Sequence, residues 1–333
     1  MILARPLATA AALLLGTSAL FAQEAEPAVI FDLGGKFDRS FNQASYEGAE
    51  RFKAETGVGY HEFELQSDAQ REQALRRFAE QGYNPVVVAG FSNESAVKTV
   101  APDYPDTDFV VIDAVVDLPN VRSVVFREEE GSYLVGLLAA MASKTGEVGF
   151  VGGMDIPLIQ KFACGYVQGV KDTNPEATVL QAMTGTTGAA WNDPVRGGEL
   201  AKSQIDQGAD VIYHAAGGTG IGVLQAAADA GKLGIGVDSN QDYLHPGNML
   251  TSMLKRVDVA TYTAMMDAKN GSWTPGVQVL GLAQDGVGYA VDEYNKPLLT
   301  PEMLAAAEEA KAKIISGEIK VHDFTTDGSC PAK

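Results

Sequence analysis

The sequence is poor in cysteine, histidine, tryptophan and basic charge, and each scarcity excludes something. Cys164 and Cys330 are the only cysteines among 333 residues, too few and too far apart for the paired spacings of a zinc site. The four histidines, His61, His214, His245 and His322, form no i, i+4 pair, so a helical metal-binding motif is absent. Lysine and arginine number 25 against 43 acidic residues, a formal net charge of −18. Nucleic-acid binders need the opposite balance to displace phosphate counterions, and a polyanionic small ligand is disfavoured too. Beyond residue 22 no apolar run reaches the roughly 20 residues that cross a bilayer.

Residues 1–22 read as a secretory signal peptide. Arg5 is their only charge, Ala8 to Ala19 form an apolar core, and Ala22 offers a small residue for cleavage. They hold no cysteine to acylate, so the expected product is a soluble periplasmic protein without a lipid anchor. In that oxidising compartment Cys164 and Cys330 are a disulfide candidate that would pin the C-terminal tail to a second lobe. The alternative is two unpaired thiols.

What the chain has in quantity is alternation. Strand patterns at 28–32, 59–65, 85–89, 108–113, 121–126, 147–151, 178–183, 210–214, 234–238 and 249–253 are separated by amphipathic helical stretches. Runs such as Val86–Gly90 and Phe109–Asp113 are continuously apolar, as central parallel strands covered on both faces are. The expectation is an α/β fold of two doubly wound parallel-sheet lobes joined by several strands. The lobes are placed at 23–127 plus about 252–285 and at 128–251 plus about 286–325, with a tail over 326–333.

The segment Val29–Gly48 holds the densest set of functional signals. An apolar strand ends in Asp32, two glycines follow, and Asp38, Ser40, Phe41 and Asn42 open a helix. Open α/β sheets place ligands at such strand-to-helix junctions. Ser40 is the expected N-cap of that helix, with Asp38 able to do the same. Asp113 and Asp238 end apolar strands as Asp32 does, so all three should point into a cleft, where a carboxylate can accept two adjacent hydroxyls. Lys255 either pairs with one of these acids, donates to a ligand oxygen, or lies on a solvated face. Phe41 and Trp191 sit in polar contexts and could sandwich a planar base, and Phe91 is a weaker candidate. Gly217 and Gly218 belong to a Gly-rich turn that fits neither dinucleotide nor Walker phasing, because Val223 occupies the third glycine position. They would let backbone approach an uncharged ligand. Asp238–Asp242 begins like a calcium loop, but Tyr243 and Met249 stand where glycine and glutamate are needed.

The stretch FDLGGKFDRSFNQASYEGAERF, together with SVVFREEEGSYLVGLLAA, WNDPVRGGELA, AAGGTGIGVLQAA, IGVDSNQ and SMLKRVDVA, resembles the basic membrane protein family, the purine-nucleoside-receptor-like solute-binding proteins of ABC transporters. The resemblance covers the chain after residue 22 and implies a type I periplasmic binding fold and no enzyme activity. It implies that Phe41 stacks on a purine, with Asn42 and Asp32 near the base. It places Asp113 and Asp238 on the ribose hydroxyls with Lys255 beside them, and Gly217 and Gly218 near the ligand; Trp191 stands where another aromatic is common. The expected ligand is adenosine, guanosine or inosine, the partner an ABC permease, and the state a monomer without cofactor. A binder of a sugar or another small polar solute is the alternative, and an exported nucleoside hydrolase a more distant one.

Overall fold

A computed structural model describes residues 26–332; the signal peptide expected over 1–22 lies outside them. The first half runs β1 (Ala28–Phe31), α1 (Phe41–Thr56), β2 (His61–Glu64), α2 (Arg71–Glu80), β3 (Val86–Val88), α3 (Glu94–Val100), β4 (Phe109–Ile112) and β5 (Val121–Phe126). The second repeats the pattern with α4 (Glu128–Ala142), β6 (Glu147–Met154), α5 (Pro157–Thr173), β7 (Thr178–Gly185), α6 (Pro194–Asp206), β8 (Val211–Ala215), α7 (Gly220–Asp229), β9 (Leu233–Asp238) and β10 (Met249–Lys255). Then α8 (Val257–Lys269) and β11 (Gly276–Leu280) go back to the first half, and β12 (Val287–Tyr289) and α9 (Pro301–Ser316) to the second.

These strands make two six-stranded sheets, ordered β11-β5-β4-β3-β1-β2 and β12-β10-β9-β8-β6-β7. Every pairing is parallel except β10 with β12. Each sheet therefore contains the order 2-1-3-4-5, whose direction reverses between its first and third strands. In the two sheets that reversal lies between β1 and β3 and between β6 and β8.

The strand sequences account for the double winding. In β1, Val29 and Phe31 pack with Ala49, Phe52 and Met265 of α1 and α8, while Ala28 and Ile30 join Leu75, Phe78 and Val97 of α2 and α3. Both faces are covered, so alternate residues need no polar member. The second sheet is covered likewise, by α6 and α7 on one side and by α4 and α5 on the other. Helices α4 and α5 approach closely because glycine lies at the contact. A Cβ on Gly165 would fall 2.3 Å from the Glu129 carbonyl oxygen, and one on Gly136 the same distance from that of Tyr166.

The chain crosses between sheets after β5, after β10 and between β11 and β12. Cys164 in α5 is disulfide-bonded to Cys330, with a Cα separation of 5.5 Å across 166 residues of sequence. Closing so long a loop removes unfolded-state entropy equivalent to at most about 5 kcal/mol. The double substitution C164A/C330A should lower unfolding stability by roughly 2–4 kcal/mol, read as a fall in the urea midpoint with the slope retained. An unchanged midpoint would show that the tail contributes nothing to the native state.

Candidate functional site

The carboxyl ends of the two sheets face one another, and the cavity between them is lined from both. The first sheet's loops contribute Asp32, Leu33, Asp38, Phe41, Asn42, Gly90, Phe91 and Asp113. The second contributes Trp191, Ala215, Gly217, Val237, Asp238 and Lys255, and α5 adds Ile159 and Phe162. The cavity thus meets the reversal point of each sheet, through the loops after β1 and β3 and the loop after β8. Among the ligand-site candidates taken from sequence, Ser40 and Gly218 alone do not line it. Both are buried beside it.

Ser40 corrects one expectation. It occupies the N-cap position of α1, but its side chain caps nothing. Asp38 does that work: its carboxylate accepts the backbone N–H groups of Ser40 (2.8 Å), Asn42 (3.0 Å) and Gln43 (3.1 Å). With those donors taken, the Ser40 hydroxyl turns across the cleft and donates to Asp238 Oδ2 at 2.5 Å. The Ser40 carbonyl in turn accepts from the Ser239 hydroxyl at 2.9 Å. Ser40 is a bridge between the sheets.

The end of β1 is clamped by its own helix. Asn42 Oδ1 accepts the Asp32 N–H at 2.9 Å, and its amide nitrogen donates to the Asp32 carbonyl at 3.2 Å. The Asp32 carboxylate lies 2.7 Å from the Arg71 guanidinium, itself a buried group that sequence patterning did not single out. Burial raises the Asp32 carboxyl above its ordinary value against the pull of Arg71.

Asp113 and Asp238 follow the fourth strand of their respective sheets and hold left-handed φ angles of 71° and 64°. Aspartate tolerates that region better than most residues, and such strain gathers at functional sites. Burial raises both carboxyls to about 6, while Lys255 pulls each back down. Lys255, at the end of β10, is buried, with its ammonium 2.7 Å from Asp113 Oδ2 and 3.0 Å from Glu128 Oε1. The rings of Phe126, Phe41 and Phe162 stand 5.1, 5.3 and 5.5 Å from it. Burial would lower this ammonium, but Asp113, Glu128 and Asp238 outweigh it and hold it above its ordinary value. Of the readings left open for Lys255, the geometry shows the ion pair and excludes the solvated face.

The aromatic walls come from both sides. Phe41 faces the cavity from the first turn of α1. Trp191 lies flat against Gly153, where a Cβ would come within 2.1 Å of the indole, and meets Phe91 edge to face at 6.4 Å. Glycine near the end of β6 is therefore what seats the indole. Leu33, Ile159, Phe162, Ala215 and Val237 complete an apolar lining that sequence reasoning missed. As apolar residues in apolar patterns they looked like core. Glu128 was hidden for a different reason: it reads as one of three acids in a helix's first turn, yet it is buried.

Comparison with known proteins identifies the family and the fold. The family profile described as ABC transporter substrate-binding protein PnrA-like (Bmp) matches residues 25–325. An ABC transporter nucleoside-binding protein, BmpA, of Lactococcus lactis is 32% identical, covering 92% of this chain and 91% of its own. An uncharacterized lipoprotein of Pyrococcus furiosus is 34% identical, covering 90% and 85%. A solved ABC transporter solute-binding protein of Aeropyrum pernix superposes with a TM-score of 0.82 at 32% identity, covering 90% of this chain and 93% of its own. The fold is thus that of the periplasmic-type solute-binding proteins, and among the described residues no helix is long and apolar enough to cross a membrane. The chain belongs to the Bmp family of PnrA-like ABC transporter substrate-binding proteins.

Proposed function

We propose that this protein captures a nucleoside, preferentially a purine nucleoside, between its two lobes and delivers it to an ABC importer. One observation carries the reading: rings from both lobes, Phe41 and Trp191, share a single cavity with the strand-end carboxylates Asp113 and Asp238. The rings sandwich the base. Asp113 and Asp238 accept the ribose hydroxyls, each with an oxygen not taken by Lys255 or Ser40. Asp32 and the remaining amide hydrogen of Asn42 face the base edge, and Gly217 brings backbone against the ligand. Lys255 acts by holding Asp113. The nucleoside-binding relative from Lactococcus supports the ligand class.

Binding closes the lobes by population shift, because only the closed form brings both half-sites to the ligand. The lobe boundaries given above, with β10 through Lys255 kept in the second lobe, export through residues 1–22, a periplasmic form free of a lipid anchor, and a monomeric state belong to the same proposal. The net charge of −18 supports an uncharged nucleoside over a nucleotide.

Mass spectrometry of small molecules released by denaturing the freshly purified protein should recover adenosine, guanosine or inosine. A sugar or amino acid without any nucleoside would overturn the reading, and steady release of free base would make the protein a hydrolase. Phe41→Ala should weaken nucleoside binding about 10- to 100-fold in calorimetry, the worth of one base–aromatic stack; an effect under twofold would remove the stack. Affinity should also depend on pH. Asp113 and Asp238, with carboxyls at about 6, are the stronger acceptors of hydroxyl hydrogens when ionised, because protonation turns one oxygen into a donor and weakens the other as an acceptor. Binding is therefore full above pH 7 and declines as pH falls through 6. Constant affinity down to pH 5 would exclude them as ionised acceptors.

A further inference from the structure

Behind the cavity, the close approach of α4 and α5 sets Lys161 against the start of α4. Lys161 is 8% exposed and donates to the Phe126 carbonyl at 2.7 Å. Its ammonium lies 3.0 Å from Glu128 Oε2, 3.3 Å from Glu129 Oε2 and 3.8 Å from Asp323 Oδ2. The other oxygen of Glu128 is the one 3.0 Å from Lys255, which in turn holds Asp113. Charges of alternating sign thus run from Lys161 through Glu128 and Lys255 to Asp113. Neither Lys161 nor Glu128 lines the ligand cavity.

The arrangement bears on how Lys255 is shared. Glu128 and Asp113 compete for one ammonium in a region where buried charge is costly unless paired. Lys161 supplies Glu128 with a second cation, so Lys255 need not compensate two carboxylates by itself. We propose that Lys161 is a positioning residue for the ligand site: by compensating Glu128 it leaves Lys255 to Asp113 and keeps Asp113 an ionised acceptor. This deepens the function proposed above and rests on it for ligand class, though not for its test.

The groups facing each member are few. Asp113 is acted on by Lys255, Glu128 and Asp238, and Lys161 by Glu128, Glu129 and Asp323. Arg127 stands 3.9 Å from Glu129 on the far side and half exposed. Removal of Lys161 leaves the Asp113–Glu128–Lys255 group with an uncompensated negative charge, and that charge favours a proton on Asp113.

The test is the titration of the Asp113 carboxyl, followed by carbon NMR in ligand-free protein, in Lys161→Met and Lys161→Arg variants. K161M should raise the midpoint by about one pH unit and K161R should restore it. In nucleoside titrations the pH of affinity loss should move the same way. A midpoint unmoved in folded K161M, even with weaker binding, would reduce Lys161 to a packing role and overturn the proposal. Should K161M fail to fold, Lys161→Gln decides, since it keeps a donor for the Phe126 carbonyl but carries no charge: Asp113 should titrate higher, and a fall or no change overturns the proposal. The ligand-free titration stands whatever the ligand proves to be. A parent protein that binds no nucleoside would therefore sink the proposed function alone.

Discussion

Everything around the cavity depends on the burial of one ammonium group. Lys255 ends a strand of the second sheet, Asp113 follows a strand of the first, and Glu128 lies just past a crossing between them. An ammonium removed from water loses its hydration, and it stays charged here only because two carboxylates and three ring faces replace that hydration. Such an arrangement contributes little net stability compared with an apolar substitute of the same shape. What it contributes is register. The ammonium has its partners only when β4, β10 and the first turn of α4 hold one relative placement, and that placement sets Asp113 and Phe41 around the same space.

A similar economy governs the loop after β1. Asp38 takes the capping role at α1, which frees Ser40 to reach Asp238, and Asn42 uses its amide to hold the end of β1. Three polar residues within five positions thus serve three different purposes: helix start, lobe contact and strand end. A polar cluster at a ligand corner is not a census of ligand contacts. Much of its hydrogen bonding satisfies backbone groups that the turn itself leaves open.

Strand and helix order was legible because central strands such as β1, β3 and β4 are uninterrupted apolar runs separated by helical stretches with a 3.6-residue stripe; β5, read at 121–126, has those bounds in the structure. The short strands β11 and β12 were not read, since Gly276–Leu280 and Val287–Tyr289 are edge strands with half-exposed residues and no clean alternation. In the candidate site, the strand-end aspartates and Phe41 stood out because an acid or an exposed ring in such a place conflicts with local pattern. Arg71, Lys161 and Glu128 did not. Each lies on a helix where a charged residue is ordinary, and only the tertiary approach of another element makes it buried. Ser40 was misjudged because N-cap chemistry is local, whereas its actual partner lies 198 residues away.

The two halves of the chain build the cavity by the same device. Asp113 after β4 and Asp238 at the end of β9 occupy equivalent positions in their sheets, with the same left-handed turn. Each has one oxygen committed to a fixed donor, Lys255 or Ser40. A pair of carboxylates brought together this way repels any anion placed between them, and the ammonium that lines the cavity, Lys255, is already shared between Asp113 and Glu128. A neutral molecule with adjacent hydroxyls meets the opposite situation, because its hydrogens replace the water that both buried carboxylates have lost. For the ligand class proposed above, the acidity of the site therefore favours a hydrogen-bond donor over an anion, and that preference, more than the shape of the cavity, narrows what the two half-sites can hold.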